Sequence, residues 1–155
     1  MSQKKFEITI EVPRWGFIKR GSTDKIDFIS PIPCPYNYGS IRSYVGLDND
    51  YLDAIVIGPR LPRDTVVTCT AFAAIGLSDR GLYDDKLVCA TKPLSSWDKC
   101  FVASFFRCYA LFKRILNLIR RQPGQTRCEG WQEIDQALSR ARECDESPIK
   151  PIVAF

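Results

Sequence analysis

The feature that most narrows the fold is a change of period near residue 96. Before it the chain writes short β-type runs cut by Pro and Gly; after it, one long stretch repeats apolar residues at helical spacing. Phe6, Ile8, Ile10 and Val12 alternate with Glu7, Thr9 and Glu11, a period of two with one apolar face. Pro13 and Gly16 end that run, and Ile26 to Ile29 is a further short strand candidate. Pro31, Pro33 and Pro35 forbid helix and make a stiff, extended connection into Tyr36-Asn37-Tyr38-Gly39. Ala54 to Ile57, Thr65 to Ile75 and Lys86 to Ala90 then read as strands. From Trp97 to Arg121, the residues Phe101, Phe105, Phe106, Tyr109, Phe112, Leu116 and Ile119 fall near helical spacing and read as the core face. Pro123-Gly124 stops that helix, and a second is expected from about Trp131 to Arg142. The expected class is mainly β with α (α+β), in one domain over residues 1–155 with its core at about 6–142.

Composition removes several classes of function. With no histidine, Ser-His and Cys-His nucleophilic machinery is excluded, and acid–base work falls to carboxylates, Lys, Tyr or metal-bound water. The seven cysteines are odd in number, irregularly spaced and without a CxxC pair, which argues against zinc and for reduced thiols in a cytoplasm. The opening residues alternate instead of forming the apolar core of a secretory signal. Arg107, Lys113 and Arg114 interrupt the longest apolar stretch, so no membrane span is expected. A net charge of +4 is mild and does not call for a nucleic-acid partner.

The segment Gly46-Leu47-Asp48-Asn49-Asp50-Tyr51-Leu52-Asp53 places three carboxylates in six positions, immediately before an apolar strand. Clustered carboxylates repel and need a cation, and hard oxygen ligands suit Mg²⁺, Mn²⁺ or Ca²⁺. The spacing is wrong for an EF-hand, whose twelfth position would be Pro59. A DxD phosphotransferase is also disfavoured, because there the acids follow a buried strand and here they precede one. Asp79 and Asp84, with Lys86, repeat the arrangement before the next strand. Five aspartates at one mouth of a barrel, beside lysines, would suit a phosphate ester or anhydride bound through metals.

In order, Glu11-Val12-Pro13, Pro35-Tyr36-Asn37-Tyr38-Gly39, Asp48-x-Asp50-x-x-Asp53 and Asp79-x-x-x-x-Asp84-x-Lys86 resemble the soluble family I inorganic pyrophosphatases. Ser104-Phe105-Phe106-Arg107-Cys108-Tyr109 is similar to that family's HFFxxYK, and Glu129-Gly130-Trp131 to its late GW. The resemblance implies a five-stranded OB-like barrel flanked by two C-terminal helices, hydrolysing pyrophosphate with Mg²⁺ or Mn²⁺, and a homo-oligomer. It further implies Asp48, Asp53, Asp79 and Asp84 as metal ligands with Glu11 at the edge of the site. Asp50 would be the base, and Lys19, Tyr38, Lys86 and Tyr109 would hold phosphate.

The chain also departs from the pattern. Arg20 and Gly21 stand where the family has Tyr-Glu, Cys34 replaces the YP tyrosine, and Ala110 replaces the Lys after the late Tyr, with Lys113 one turn on. No arginine stands where the family's DR motif would place one. The acids are kept while several phosphate-gripping residues are lost. Two alternatives therefore stay open: a diverged phosphohydrolase acting on another phosphorylated substrate, and a non-catalytic OB-like module that binds metal or anions.

Overall fold

A computed structural model describes residues 3–20, 26–29, 33–47, 49–79, 81–121 and 126–144. In chain order the elements are β1 (Lys4–Val12), β2 (Ile18–Arg20), β3 (Ile26–Ile29), β4 (Asn37–Val45), β5 (Tyr51–Ile57), β6 (Val66–Asp79), β7 (Leu82–Tyr83) and β8 (Lys86–Ala90), then α1 (Ser96–Ile119), β9 (Thr126–Gln132), α2 (Ile134–Ser139) and β10 (Arg142–Glu143). β1 pairs with both β4 and β6, β4 with β5, β5 with β8 and β8 with β6, so five strands close on themselves. All these pairings are antiparallel except β5–β8, which is parallel. Closure removes the sheet edges. It also requires close approach, and Gly39 supplies it: a Cβ there would strike the Thr9 carbonyl oxygen on β1. β6 reaches four neighbours along its 14 residues, serving first β1, then β8, and finally β9 and β7.

Strand alternation divides the core in two. Ile8, Ile10, Ile41, Leu52, Ala54, Val56, Cys69, Ala71, Leu87 and Cys89, drawn from all five barrel strands, fill the interior together with Ala137 of α2. Ile55, Ile75, Val88 and Tyr38 point the other way and pack under Val102, Phe106 and Ala110 of α1. α1 begins with a capping box: Ser95 Oγ accepts from the Asp98 N–H at 3.1 Å, while the Ser95 N–H donates to Asp98 Oδ2 at 2.9 Å. The Ser95 hydroxyl, which donates to Asp98 Oδ2 at 2.7 Å, and then the Ser95 N–H hold the Asp98 carboxyl below its ordinary range.

The OB-like barrel and its flanking helices match the expected class, but three local readings need correction. The inward stripe of α1 is Val102, Phe106, Ala110 and Asn117, whereas Phe101 is 63% exposed and Ile119 73%. Phe105, Phe106, Tyr109, Phe112 and Leu116 of the expected face are buried or half-buried, but the helix is apolar on two sides, and counting large residues misplaced the two ends of the face. Second, Trp131 lies in β9, so the final helix is only Ile134–Ser139. Gly130, with φ at 86°, takes a left-handed conformation where β9 slips register against β6, a bulge that no helix could accommodate. Third, Asp53 lies inside β5 and Asp79 closes β6, so neither sits in a turn.

Candidate active site

Register brings the first group of side chains together. Asp53 of β5 stands directly opposite Lys86 of β8, and Asp84 precedes Lys86 by two residues. The Lys86 ammonium lies 2.7 Å from Asp53 Oδ2 and 3.0 Å from Asp84 Oδ1. On the other side of Asp53, the Tyr38 hydroxyl of β4 donates to Oδ2, and its ring lies 5.4 Å from Lys86 Nζ. Lys86 is only 2% exposed, with its charge among carboxylates. Burial by itself would push that ammonium down; Asp53 and Asp84 together outweigh it and hold it above its ordinary value. Burial, then the Asp53 charge, pushes the Tyr38 phenol up, so it stays a protonated donor.

A second group forms around Asp79. Its carboxylate receives Lys113 Nζ of α1 at 2.7 Å and the Thr126 hydroxyl of β9 at 2.9 Å. Asn117 Nδ2, one turn beyond Lys113, lies 3.5 Å from Asp79 Oδ1 and 3.4 Å from Thr126 Oγ1. Tyr109 of α1, stacked on Phe105 with centroids 6.2 Å apart, acts electrostatically on both Lys86 and Tyr38 of the first group.

Strand parity puts Asp53, Lys86 and Tyr38 on the face that also carries Ile55 and Val88, the face α1 covers. The site therefore lies between the barrel wall and the helix, and the expected barrel mouth is corrected accordingly. Of the remaining candidates, Asp50 is exposed in the turn before β5. Glu11 is half-buried where β1 slips register against β4, next to the row of Tyr38. Lys19 is in β2 opposite Phe28, and Asp48 lies outside the described residues. Burial pushes the Cys34 thiol up to about 11, which makes it a poor nucleophile.

Among the described residues, no three carboxylates or thiols converge closely enough to hold a metal. Even so, Asp53 and Asp84 already share one cation, the Lys86 ammonium, and their hard oxygens suit a divalent ion. The donor set thus fits such an ion in chemistry. Asn117 and Thr126 escaped the sequence reading. Asn117 sits in phase with Val102, Phe106 and Ala110, so a polar residue on the inward stripe was the available signal once that stripe was correctly phased.

The family model for inorganic pyrophosphatases matches residues 1–147, a span holding both carboxylate groups and their cations. The chain belongs to the inorganic pyrophosphatase family. It is similar to an inorganic pyrophosphatase of Synechocystis, 27% identical, with 88% of each chain covered. It is also similar to one of Streptomyces coelicolor, 30% identical over 67% of this chain and 76% of that one. Its fold is that of the inorganic pyrophosphatase of Thermus thermophilus (TM-score 0.70, 21% identity, 88% of this chain and 86% of that one). The Helicobacter pylori inorganic pyrophosphatase superposes similarly (TM-score 0.69, 19% identity, 90% and 92% covered). Within this inorganic pyrophosphatase framework Ala110 is buried against the barrel, while Lys113 on the next turn is the α1 cation that reaches an aspartate.

Proposed function

We propose that the chain hydrolyses inorganic pyrophosphate to two phosphates, with divalent cations held by Asp48, Asp53, Asp79 and Asp84 and with Glu11 at the edge. The observation that carries this reading is the cluster of Asp53, Asp84, Lys86 and Tyr38, in which two carboxylates and two protonated donors meet within one buried patch. When bound, Mg²⁺ or Mn²⁺ supplies positive charge to phosphate and acidity to water. Asp50, exposed beside β5, takes the proton from the attacking water. Lys86 stays cationic and Tyr38 stays protonated, so both offer hydrogen bonds to phosphate oxygens. Tyr109 adds a further donor, and Lys19 is the candidate from β2. Lys113 supplies positive charge from α1 in place of a lysine at position 110. Such donors contribute most where negative charge grows on the departing phosphate.

The test is phosphate release from pyrophosphate with Mg²⁺, with Mn²⁺ and with a chelator. Release should require the divalent ion, and Asp50→Asn should lower it by about 10²- to 10⁴-fold. No release with either ion overturns the reading, and release that Asp50→Asn leaves intact removes Asp50 from its role.

We also propose that the chain acts as one catalytic domain in a reducing cytoplasm, a setting that its seven free cysteines favour. It would self-associate there through the outer face of α1. Trp97, Phe101, Ser104, Cys108, Leu111, Ile115 and Leu118 alternate spacings of four and three, and all are exposed. That spacing is a coiled-coil seam. Large residues lie toward both ends, with small Ser104 and Cys108 between, so a second copy of α1 running antiparallel presents a complementary surface. In sedimentation, wild type should be larger than a monomer and Phe101→Glu with Ile115→Glu should be monomeric; a monomeric wild type sinks the idea.

A further inference from the structure

The run Asp84-Asp85-Lys86 enters β8, and its side chains alternate in direction. Asp84 and Lys86 meet in the candidate site, whereas Asp85 bonds to Arg140, the residue capping the C-terminus of α2. The Asp85 side chain is 3% exposed, and a carboxylate that deep needs a cationic partner. Arg140 Nη1 lies 3.0 Å from Asp85 Oδ2, 3.4 Å from Oδ1 and 3.2 Å from Gln132 Oε1. Its guanidinium also sits 3.7 Å from the ring centroid of Tyr83. One side chain is thus held by β7, by the run that leads into β8, and by β9 at once. A cavity beside it is lined by Tyr51, Asp53, Tyr83, Asp84, Asp85 and Arg140, so the arginine and two of the proposed metal ligands border the same space.

We propose that Arg140 is a positioning residue for the metal site. By fixing Asp85 on the side of the barrel interior and α2, it holds the neighbouring Asp84 and Lys86 on the opposite, α1-facing side in the rotation that lets Asp84 and Asp53 serve one cation. This rests on the pyrophosphatase reading of the site and assigns Arg140 a part in it that no motif in the sequence suggests. Loss of Arg140 leaves Asp85 a buried charge without its guanidinium, and the short run between β7 and β8 relieves that by turning, which carries Asp84 with it. Lysine is a weaker substitute, since it is a compact point charge without the planar guanidinium that lies over the Tyr83 ring while its Nη1 reaches Asp85 and Gln132.

The experiment is Mn²⁺ binding to the full chain, followed by electron paramagnetic resonance without substrate, beside a near-ultraviolet circular dichroism check of folding. Arg140→Met should weaken Mn²⁺ binding by about 10-fold, the lower end of what losing a group that orients a ligand costs, since Arg140 acts on Asp84 through Asp85, with Arg140→Lys in between. Lys4→Ala breaks the 2.9 Å pair with Asp135 that ties the other end of α2 to β1, and it should leave Mn²⁺ binding unchanged. If folded Arg140→Met binds Mn²⁺ as wild type does, or Lys4→Ala weakens binding equally, the positioning role is overturned. If Arg140→Met does not fold, Arg140→Lys decides, and wild-type affinity there overturns it too. A wild-type protein that binds no Mn²⁺ is a separate result, which sinks the reading of the site itself and this role with it.

Discussion

The two carboxylate groups are built in different ways. Around Asp53, Tyr38 comes from β4 and Lys86 from β8, the two strands that flank β5, and the central cation, Lys86, is almost wholly buried. Around Asp79, Lys113 comes from α1 and Thr126 from β9, and the Lys113 side chain is 25% exposed. In the first group, main-chain pairing sets the distances, because Asp53 and Lys86 are register partners. In the second, the distances depend on how a 24-residue helix docks on the barrel. The strand-built group should therefore carry more stability, and the helix-built group should be the adjustable one.

The largest expected effect tests that contrast at its strong end. Lys86→Met keeps most of the side-chain volume but leaves Asp53 and Asp84 facing each other without the ammonium. Removing one member of a buried ionic cluster costs about 3–5 kcal/mol. We expect a loss of that size in urea unfolding without metal, a smaller loss with saturating Mg²⁺, and abolished phosphate release. A loss under about 1 kcal/mol would break the comparison, since it would mean that the buried cluster behaves like a surface pair.

The same contrast governs what could be read from the chain. Asp48-x-Asp50-x-x-Asp53 and Asp84-x-Lys86 are short covalent spacings, and period-two alternation then puts Asp84 and Lys86 on one face. Closure of the barrel needed the family pattern, and the parallel β5–β8 pairing emerged only from the structure, because no local spacing states which distant strands are neighbours. The sequence of α1 leaves the ends of its core face ambiguous for a physical reason. It carries aromatic and aliphatic residues on both its barrel face and its outer face, so a search for the apolar side has two answers. Asn117 on the inward stripe distinguishes them only once Asp79 and Thr126 are known to lie beneath it. Arg140 and Asp85 are 55 residues apart, and nothing local to either marks their pairing.

The smaller effect is expected at Lys113. In Lys113→Met, Asp79 keeps the Thr126 hydroxyl at 2.9 Å, and the lost pair was partly open to water. Stability should fall by about 1 kcal/mol, less than at Lys86, because this half-buried pair lies between a surface pair and a buried cluster. Activity should fall further than stability does, because Lys113 is the α1 cation beside the candidate metal ligands. A loss of about 10-fold corresponds to about 1.4 kcal/mol of transition-state stabilisation. The informative measurement is phosphate release against pyrophosphate concentration. A lower kcat with little change in KM places the Lys113 charge on the departing phosphate, whereas a raised KM alone places it on the bound substrate. Unchanged kinetics would mean that Lys113 only neutralises Asp79, and the helix-built half would then have a structural role alone.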